Sequence, residues 1–281
     1  MKTIIFIMLA LPLSGFTHPG IGIVEDSKGN IYYTDLTHIW KIDASGKKSI
    51  AVRSVHSHEL FMDEKDNLYG EHLWYDSDKP QPWFHYVWKL SPDGNISKII
   101  PETKGFLEDY SFVRDHFGRM YWADRSKECQ KVARKNSDSS ITTLGDQCFH
   151  NIRYMTSNDH GEVYVVDFQD LKKVDNSGKV KTIASGIADK KWTKSTTKNQ
   201  NSVMGVWDDR EGNIYTAITN ANVVKKFTSV GREEIIFTTS SEWMPTGGLI
   251  DSKGNLWVLE CTPGNEVRVE RQTKAGVKTT F

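Results

Sequence analysis

The chain has no surplus of charge: 36 Lys and Arg are balanced by 36 Asp and Glu. No overall field therefore draws it to nucleic acid or to an anionic membrane, and any recognition must be local. It has 3 cysteines and no CxxC pair, which excludes a thiolate metal ribbon and a dithiol redox centre. A nucleophile elbow, a phosphate-cradling glycine loop and a helical HExxH are missing as well.

After residue 17 no long apolar run occurs. The first residues, MKTIIFIMLALPLSGFTH, carry one Lys, an apolar stretch from Ile4 to Leu13 and then small and polar residues. That layout predicts a secretory signal peptide over 1–17, too short to span a bilayer. Residues 18–281 form one exported domain on this reading, secreted or periplasmic, monomeric and not inserted in a membrane once the signal is cleaved. GFT is a poor small-x-small cleavage site, so an uncleaved anchor is the alternative. In an oxidising compartment three cysteines suggest one bridge and one spare thiol.

What the chain does have is repetition. DSKGNIYYTD begins at Asp26, and variants begin at Asp63, Asp115, Asn158, Asp209 and Asp251. Six copies, roughly 40 to 50 residues apart, fall in the range of solenoids and propellers. Each unit holds four short segments separated by turn chemistry such as DSKG, DASG, SPDG and NSG. The first segment is almost wholly apolar and so buried on both faces, while the later ones alternate with polar residues. Six such units predict an all-β, six-bladed β-propeller with four antiparallel strands per blade, starting near Gly20, Val55, Leu107, Phe149, Val203 and Thr246. An open sandwich or solenoid is the rival reading. The first unit opens with an inner strand and the last closes with an outer one, so the ring is expected to shut by face packing without a borrowed strand.

The segments GIVEDSKGNIYYTD, GVWDDREGNIYTAI and GGLIDSKGNLWVLE resemble the NHL repeat and the related repeat of SMP-30, gluconolactonase and strictosidine-synthase-like propellers, TolB-like folds that host hydrolases, lyases and binding modules. In gluconolactonase-like enzymes the position leading into the inner strand resembles a place where Glu, Asn and Asp hold a divalent cation. Five residues before each turn acid this chain has Ile21, His58, Tyr110, Arg153, Met204 and Thr246. That metal set is not carried over. Peptidylglycine-amidating lyases, with zinc-binding His beside Tyr and Arg, are similar in residue type.

By the same connectivity His58, Tyr110 and Arg153 should gather at one mouth of the channel, with Glu59, Glu108, Asp109 and His150 beside them. Imidazole, phenol and guanidinium could there move protons and bind an oxyanion, or His58 and His150 could ligate a divalent metal. His18, His56 and His72 fall on the same face. The longest insertion, HLWYDSDKPQPWFHYVW, concentrates Trp74, Tyr75, Trp83, Phe84 and Tyr86, suiting a ligand-binding lip or lid for sugar or aromatic rings, or else a loop that buries its own rings. A second insertion clusters Lys190, Lys191, Lys194 and Lys198 and reads as a solvated loop. Asp35, Asp124 and Asp167 close second strands and read as backbone caps. Glu71 and Glu260 are less regular. Cys129 and Cys148, on adjacent blades of the site face, are the expected bridge, leaving Cys261 spare.

Two functions follow. One is a hydrolase or lyase acting on a small oxygen-rich or anionic molecule, with His58 as base or ligand, Tyr110 as proton donor and Arg153 as oxyanion partner. The other is a non-catalytic module binding a glycan or peptide.

Overall fold

A computed structural model of the protein describes residues 19–80, 82–108, 110–126, 128–188 and 202–281. The expected signal segment 1–17, His18, Asp109 and the lysine cluster 190–198 lie outside the described residues.

One local device writes the repeat. In the first copy the Asp26 carboxylate accepts from the backbone N–H of Lys28 and Asn30, from the Asn30 amide and from the Tyr32 hydroxyl, at 2.7 to 3.1 Å. Asp63 does the same with Lys65, Asn67 and Tyr69, and Asp209 with Glu211, Asn213 and Tyr215. Asp115 takes Tyr121, Asn158 pairs with Tyr164, and Asp251 takes the Trp257 indole N–H. The acid thus fixes a tight turn between the first two strands and pins the aromatic ring six residues on. Gly29, at φ 76°, takes the left-handed position of the turn.

Six antiparallel sheets result. Blade 1 holds β1 (Ile23–Glu25), β2 (Ile31–Thr34), β3 (His38–Ile42) and β4 (Lys48–Arg53); blade 2 holds β5 (Leu60–Met62), β6 (Leu68–Tyr75), β7 (Trp83–Leu90) and β8 (Ile96–Lys104). Blade 3 has β9 (Met120–Asp124), β10 (Gln130–Lys135) and β11 (Ile141–Phe149), and its innermost strand is reduced to a single bridge, Arg114 to Met120. Blade 4 holds β12 (Ile152–Ser157), β13 (Val163–Asp167), β14 (Asp170–Val174) and β15 (Val180–Ala184). Blades 5 and 6 run β16 (Val206–Asp208), β17 (Ile214–Ile218), β18 (Val223–Phe227), β19 (Glu233–Thr238) and β20 (Met244–Ile250), β21 (Leu256–Cys261), β22 (Val267–Gln272), β23 (Lys278–Thr280). The fold is an all-β six-bladed propeller. Among the described residues the one helical segment of note is a 3-10 turn, Thr219–Ala221, and no helix is long and apolar enough to cross a membrane.

No strand is exchanged between blades 1 and 6. The ring closes through packing of Ile23, Tyr33 and Ile42 on Trp257 and Leu259, through Thr246 Oγ1 donating to the Gly20 carbonyl at 2.9 Å, and through the Ser252 N–H and hydroxyl meeting the Glu25 carboxylate.

Six blades make six seams, and five of them are filled. Separate apolar clusters occupy the junctions of blades 1 and 2, 3 and 4, 4 and 5, 5 and 6, and 6 and 1. Between blades 2 and 3, among the described residues, there is no such cluster.

Cys129 and Cys148 are joined, with Cα atoms 5.0 Å apart, across the start of β10 and the end of β11. Both ends therefore lie within blade 3, which fastens together the blade with the weakest inner edge. Cys261 is free and buried, and burial pushes its thiol up to about 11, so it is an inert packing residue.

Candidate functional site

The channel is lined by the innermost strands, and the residue four before each turn acid shows how its walls differ. In blades 1, 5 and 6 it is Gly22, Gly205 and Gly247. A Cβ there would lie 2.8 Å from the Leu60 nitrogen, 2.8 Å from the Thr246 carbonyl oxygen and 2.3 Å from the Ile21 carbonyl oxygen. Backbones meet directly on that side, and no side chain fits. In blades 2, 3 and 4 the same position carries Glu59, Ser111 and Tyr154. Side chains enter the channel lining from these three blades.

Glu59 is the electrostatic centre. Desolvation, with the charge of Glu71 adding, pushes its carboxyl up to about 7, while His58 and Arg125 oppose the shift. Its side chain is enclosed by protein yet keeps some contact with the channel solvent. Tyr154, at the same position two blades on, has its hydroxyl held well above the ordinary phenol range by burial and by the Glu59 charge, and it donates to the Met204 sulfur at 3.1 Å. Arg125 follows β9, donates through Nη2 to the Ile152 carbonyl at 2.7 Å, and is coupled to Glu59.

His58 stands beside this centre. Its Nδ1 lies 3.1 Å from Glu71 Oε1 on β6, and its ring meets that of His56 edge-on at 4.7 Å. Glu71 is itself held, its carbonyl accepting from the Trp88 indole at 2.9 Å and from the Ser57 hydroxyl. His72 accepts the His56 backbone N–H on Nδ1 at 2.9 Å, so Nε2 carries its proton. Burial lowers both His56 and His72 below the usual imidazole value. The mouth therefore holds neutral imidazoles, one imidazole–carboxylate pair, a carboxyl poised for proton transfer and a guanidinium.

Several predicted residues sit elsewhere. Tyr110 is not beside His58: its ring packs edge-on against Phe112 at 5.5 Å and under the Arg114 guanidinium at 5.0 Å, between blades 2 and 3. In an inner strand, alternate residues face the preceding blade, and Tyr110, Phe112 and Arg114 share that side. The Arg153 guanidinium lies over the Phe168 ring at 5.7 Å. His150 and Glu108 are exposed; the His150 backbone N–H bonds Asp167 at 2.9 Å, and His150 makes no contact with His58. The metal pair expected of His58 and His150 is not assembled, and among the described residues no three His, Cys, Asp or Glu side chains converge as a ligand group. Met204 and Thr246 are buried.

The aromatic insertion is a regular extension of the β6–β7 hairpin. Trp74 pairs with Phe84 and Tyr75 with Trp83 across the strands, so the rings line both faces of the hairpin: His72 stacks on Trp74 at 5.3 Å and Trp74 on Phe84 at 5.5 Å on one, and Tyr75 meets Trp83 edge-on at 5.1 Å and Trp83 meets Phe106 tilted at 5.4 Å on the other. Cross-strand stacking explains the density of rings and makes a rigid platform of what was expected to be a loop. Tyr75, Trp83 and Phe106 remain exposed.

Asp35 and Asp167 are caps: Asp35 accepts from the N–H of Thr37 and His38, and Asp167 from Asn151 and the Lys172 ammonium. Glu260 is held by the Arg268 guanidinium at 2.6 Å.

No family model matches the chain, and no curated protein matches it in sequence. Solved structures do match in shape. Virginiamycin B lyase from Staphylococcus aureus is 12% identical with a TM-score of 0.54, over 94% of this chain and 84% of that one. A gluconolactonase from Xanthomonas campestris is 12% identical with a TM-score of 0.56, over 86% and 83%. A chain of a nidogen/laminin complex is 14% identical with a TM-score of 0.61, over 90% and 92%. The likeness is one of fold. Its neighbours include a lyase, a lactonase and a chain of a protein complex, so the choice among them rests on this chain's own site.

Proposed function

We propose that the protein is an exported hydrolase or lyase acting on a small, oxygen-rich or anionic molecule at the channel mouth. The observation that carries this reading is Glu59: a carboxyl raised to about 7 by desolvation and the charge of Glu71, within the electrostatic reach of Arg125 and His58, beside the His58–Glu71 pair. Near neutral pH such a group is divided between acid and base forms, so it can take a proton from water or from a carbon acid and return one to a leaving group. Arg125, anchored on the Ile152 carbonyl, holds the oxygen on which negative charge develops. His58, oriented by Glu71, serves as the second proton carrier. Compared with the set His58, Tyr110 and Arg153, this assignment keeps His58 and moves the proton donor to Glu59 and the oxyanion partner to Arg125. The disulfide supports an oxidising compartment and hence export.

The test is a panel of small lactones, carboxylate esters and β-eliminable hydroxy acids assayed with the wild type, Glu59→Gln and Arg125→Ala. Loss of general acid–base help should cost roughly 100- to 10,000-fold in rate. Turnover that survives Glu59→Gln unchanged sinks the assignment.

A second reading, a binding module for glycans or peptides, is favoured by one observation, the exposed rings of Tyr75, Trp83 and Phe106 on a rigid hairpin. Glycan-array binding that depends on Trp83 but not on Glu59 would select it.

A further inference from the structure

The unfilled seam between blades 2 and 3 is not a flat gap. It is a cleft of about 710 Å³, within the range of small-molecule sites. It opens on the face of the tight turns, since Asp63, Glu64 and Lys65 of blade 2 and Asp115 and His116 of blade 3 form its rim. The channel mouth is on the opposite face. An adjoining recess of about 230 Å³ shares Tyr110 and Arg114 and adds Lys135.

The repeat shows what is unusual here. The aromatic six residues after the turn acid is at most 8% exposed in Tyr32, Tyr121, Tyr164, Tyr215 and Trp257, each closing a seam. The same residue in blade 2, Tyr69, is only half-buried and lines the cleft. Phe61, Met62 and Ile99 supply the rest of an apolar floor. Arg114 projects between two rings, its guanidinium 5.5 Å from the Phe61 centroid and 5.0 Å from that of Tyr110. Among the described residues its guanidinium has no hydrogen bond or ion pair. Two of the three acids that line the cleft are engaged, Asp63 by its own turn and Tyr69, Asp115 by Arg119 and Tyr121; Glu64 is exposed at the rim. A guanidinium set between two rings, with no hydrogen bond or ion pair of its own, is available to a planar anion.

We propose that this cleft is a second binding site, distinct from the channel mouth, for a small molecule in which a carboxylate or similar oxyanion is attached to an apolar ring. The ring lies on Phe61, Tyr69 and Ile99, and the anion pairs with Arg114.

The probe is 1-anilinonaphthalene-8-sulfonate, titrated by fluorescence and displaced with 2-naphthoate or with the neutral 2-naphthamide. One saturable site is expected, displaced far better by the naphthoate. Arg114→Ala should weaken the probe roughly tenfold to a hundredfold, the worth of a hydrogen bond to a charged group. Ile99→Trp, which fills the cleft from an exposed position, should abolish binding while circular dichroism and thermal midpoint stay unchanged, and His58→Ala should leave binding as it was. Absence of saturable binding, equal displacement by the amide, or binding indifferent to both Arg114→Ala and Ile99→Trp overturns the proposal. Dependence on His58 would move the probe to the mouth and overturn it equally.

Discussion

Blade 2 has a neighbour on each side, and the two seams are built differently from the same parts. Toward blade 1 the gap is filled by Tyr32, Ile39, Val52, Leu60, Leu68 and Trp88, and its turn face is stitched by Ser27 donating to the Asp66 carboxylate at 2.6 Å. Toward blade 3 the facing residues are Tyr69, Phe61 and Ile99 on one side and Tyr110 and Arg114 on the other, and they leave a cleft. The repeat guarantees the turn, the strand and the ring at each blade; it does not guarantee that neighbouring blades fit. The residue before the turn acid does not decide this by itself: Glu25, Ser157 and Asp208 hold the position at packed seams, as Met62 does. At the open seam it is Arg114, whose burial would strip a charge of water.

The sharpest test of that contrast is truncation on each side. Trp88→Ala removes a side chain 1% exposed at the closed seam and should cost about 3 to 5 kcal/mol in urea denaturation. Phe61→Ala, at the open seam, should cost about 1 kcal/mol, the loss of partial burial without a new cavity. Equal losses would mean that the two seams are equally packed.

The fold was legible because its device is local. An acid that bonds the N–H groups two and four residues on and a ring six residues on must appear as a sequence pattern, and Asn158 keeps the pattern without a charge. The mouth was only half legible. Counting five residues back from each acid reaches His58, but at Tyr110 it reaches a side chain facing the neighbouring blade, and at Met204 and Thr246 one that is buried. The signal lay one residue over. Glycine at 22, 205 and 247 against Glu59 and Tyr154 marks where backbones come too close for a side chain, a pattern that counting to His58 passes by. Arg125 and the empty seam carry no pattern of their own, because both depend on how one blade meets the next.

Blade 3 faces the cleft with a single bridge in place of an inner strand, and the Cys129–Cys148 link, with a sequence separation of 19, restrains it. Replacing both cysteines by serine should lower stability by about 3 kcal/mol on the chain-entropy estimate. Hydrogen exchange should quicken in β9 to β11 and in the cleft-lining residues first, while blades 5 and 6 keep their protection. Uniform loss of protection would show that the open seam is no weaker than the rest.

At its channel end the same seam is flanked by Glu59 and Arg125, and here the contrast becomes one of pH. Glu59 rises from 4.5 to about 7 on folding, so between those values the folded protein binds more protons than the unfolded chain. Stability from this group is therefore full below pH 4.5 and falls as pH rises through 7, by on the order of 1 to 3 kcal/mol. Glu59→Gln should flatten that fall in denaturation midpoints measured from pH 5 to 8. An unchanged slope would place the titration elsewhere; Asp208, also raised to about 7 by burial and by Asp159 and Asp209, is the residue to change next.

The smallest effect tests why the seam was left open. Arg114→Met places at blade 3 the residue that blade 2 uses at Met62. It gives up two ring contacts of the guanidinium, about 0.5 to 1 kcal/mol each at a partly exposed site, and gains the burial of a methionine between Phe61 and Tyr110, about 1.5 to 3 kcal/mol when burial is complete. The net should be a stabilisation of about 0.5 kcal/mol, visible as a thermal midpoint one or two degrees higher. The same variant should lose the anionic probe from the cleft. Stability gained together with binding lost is what a site maintained against good packing produces. A destabilised Arg114→Met would instead mean that the stacked guanidinium is itself the packing of this seam, and that the two sides of blade 2 differ in chemistry but not in strength.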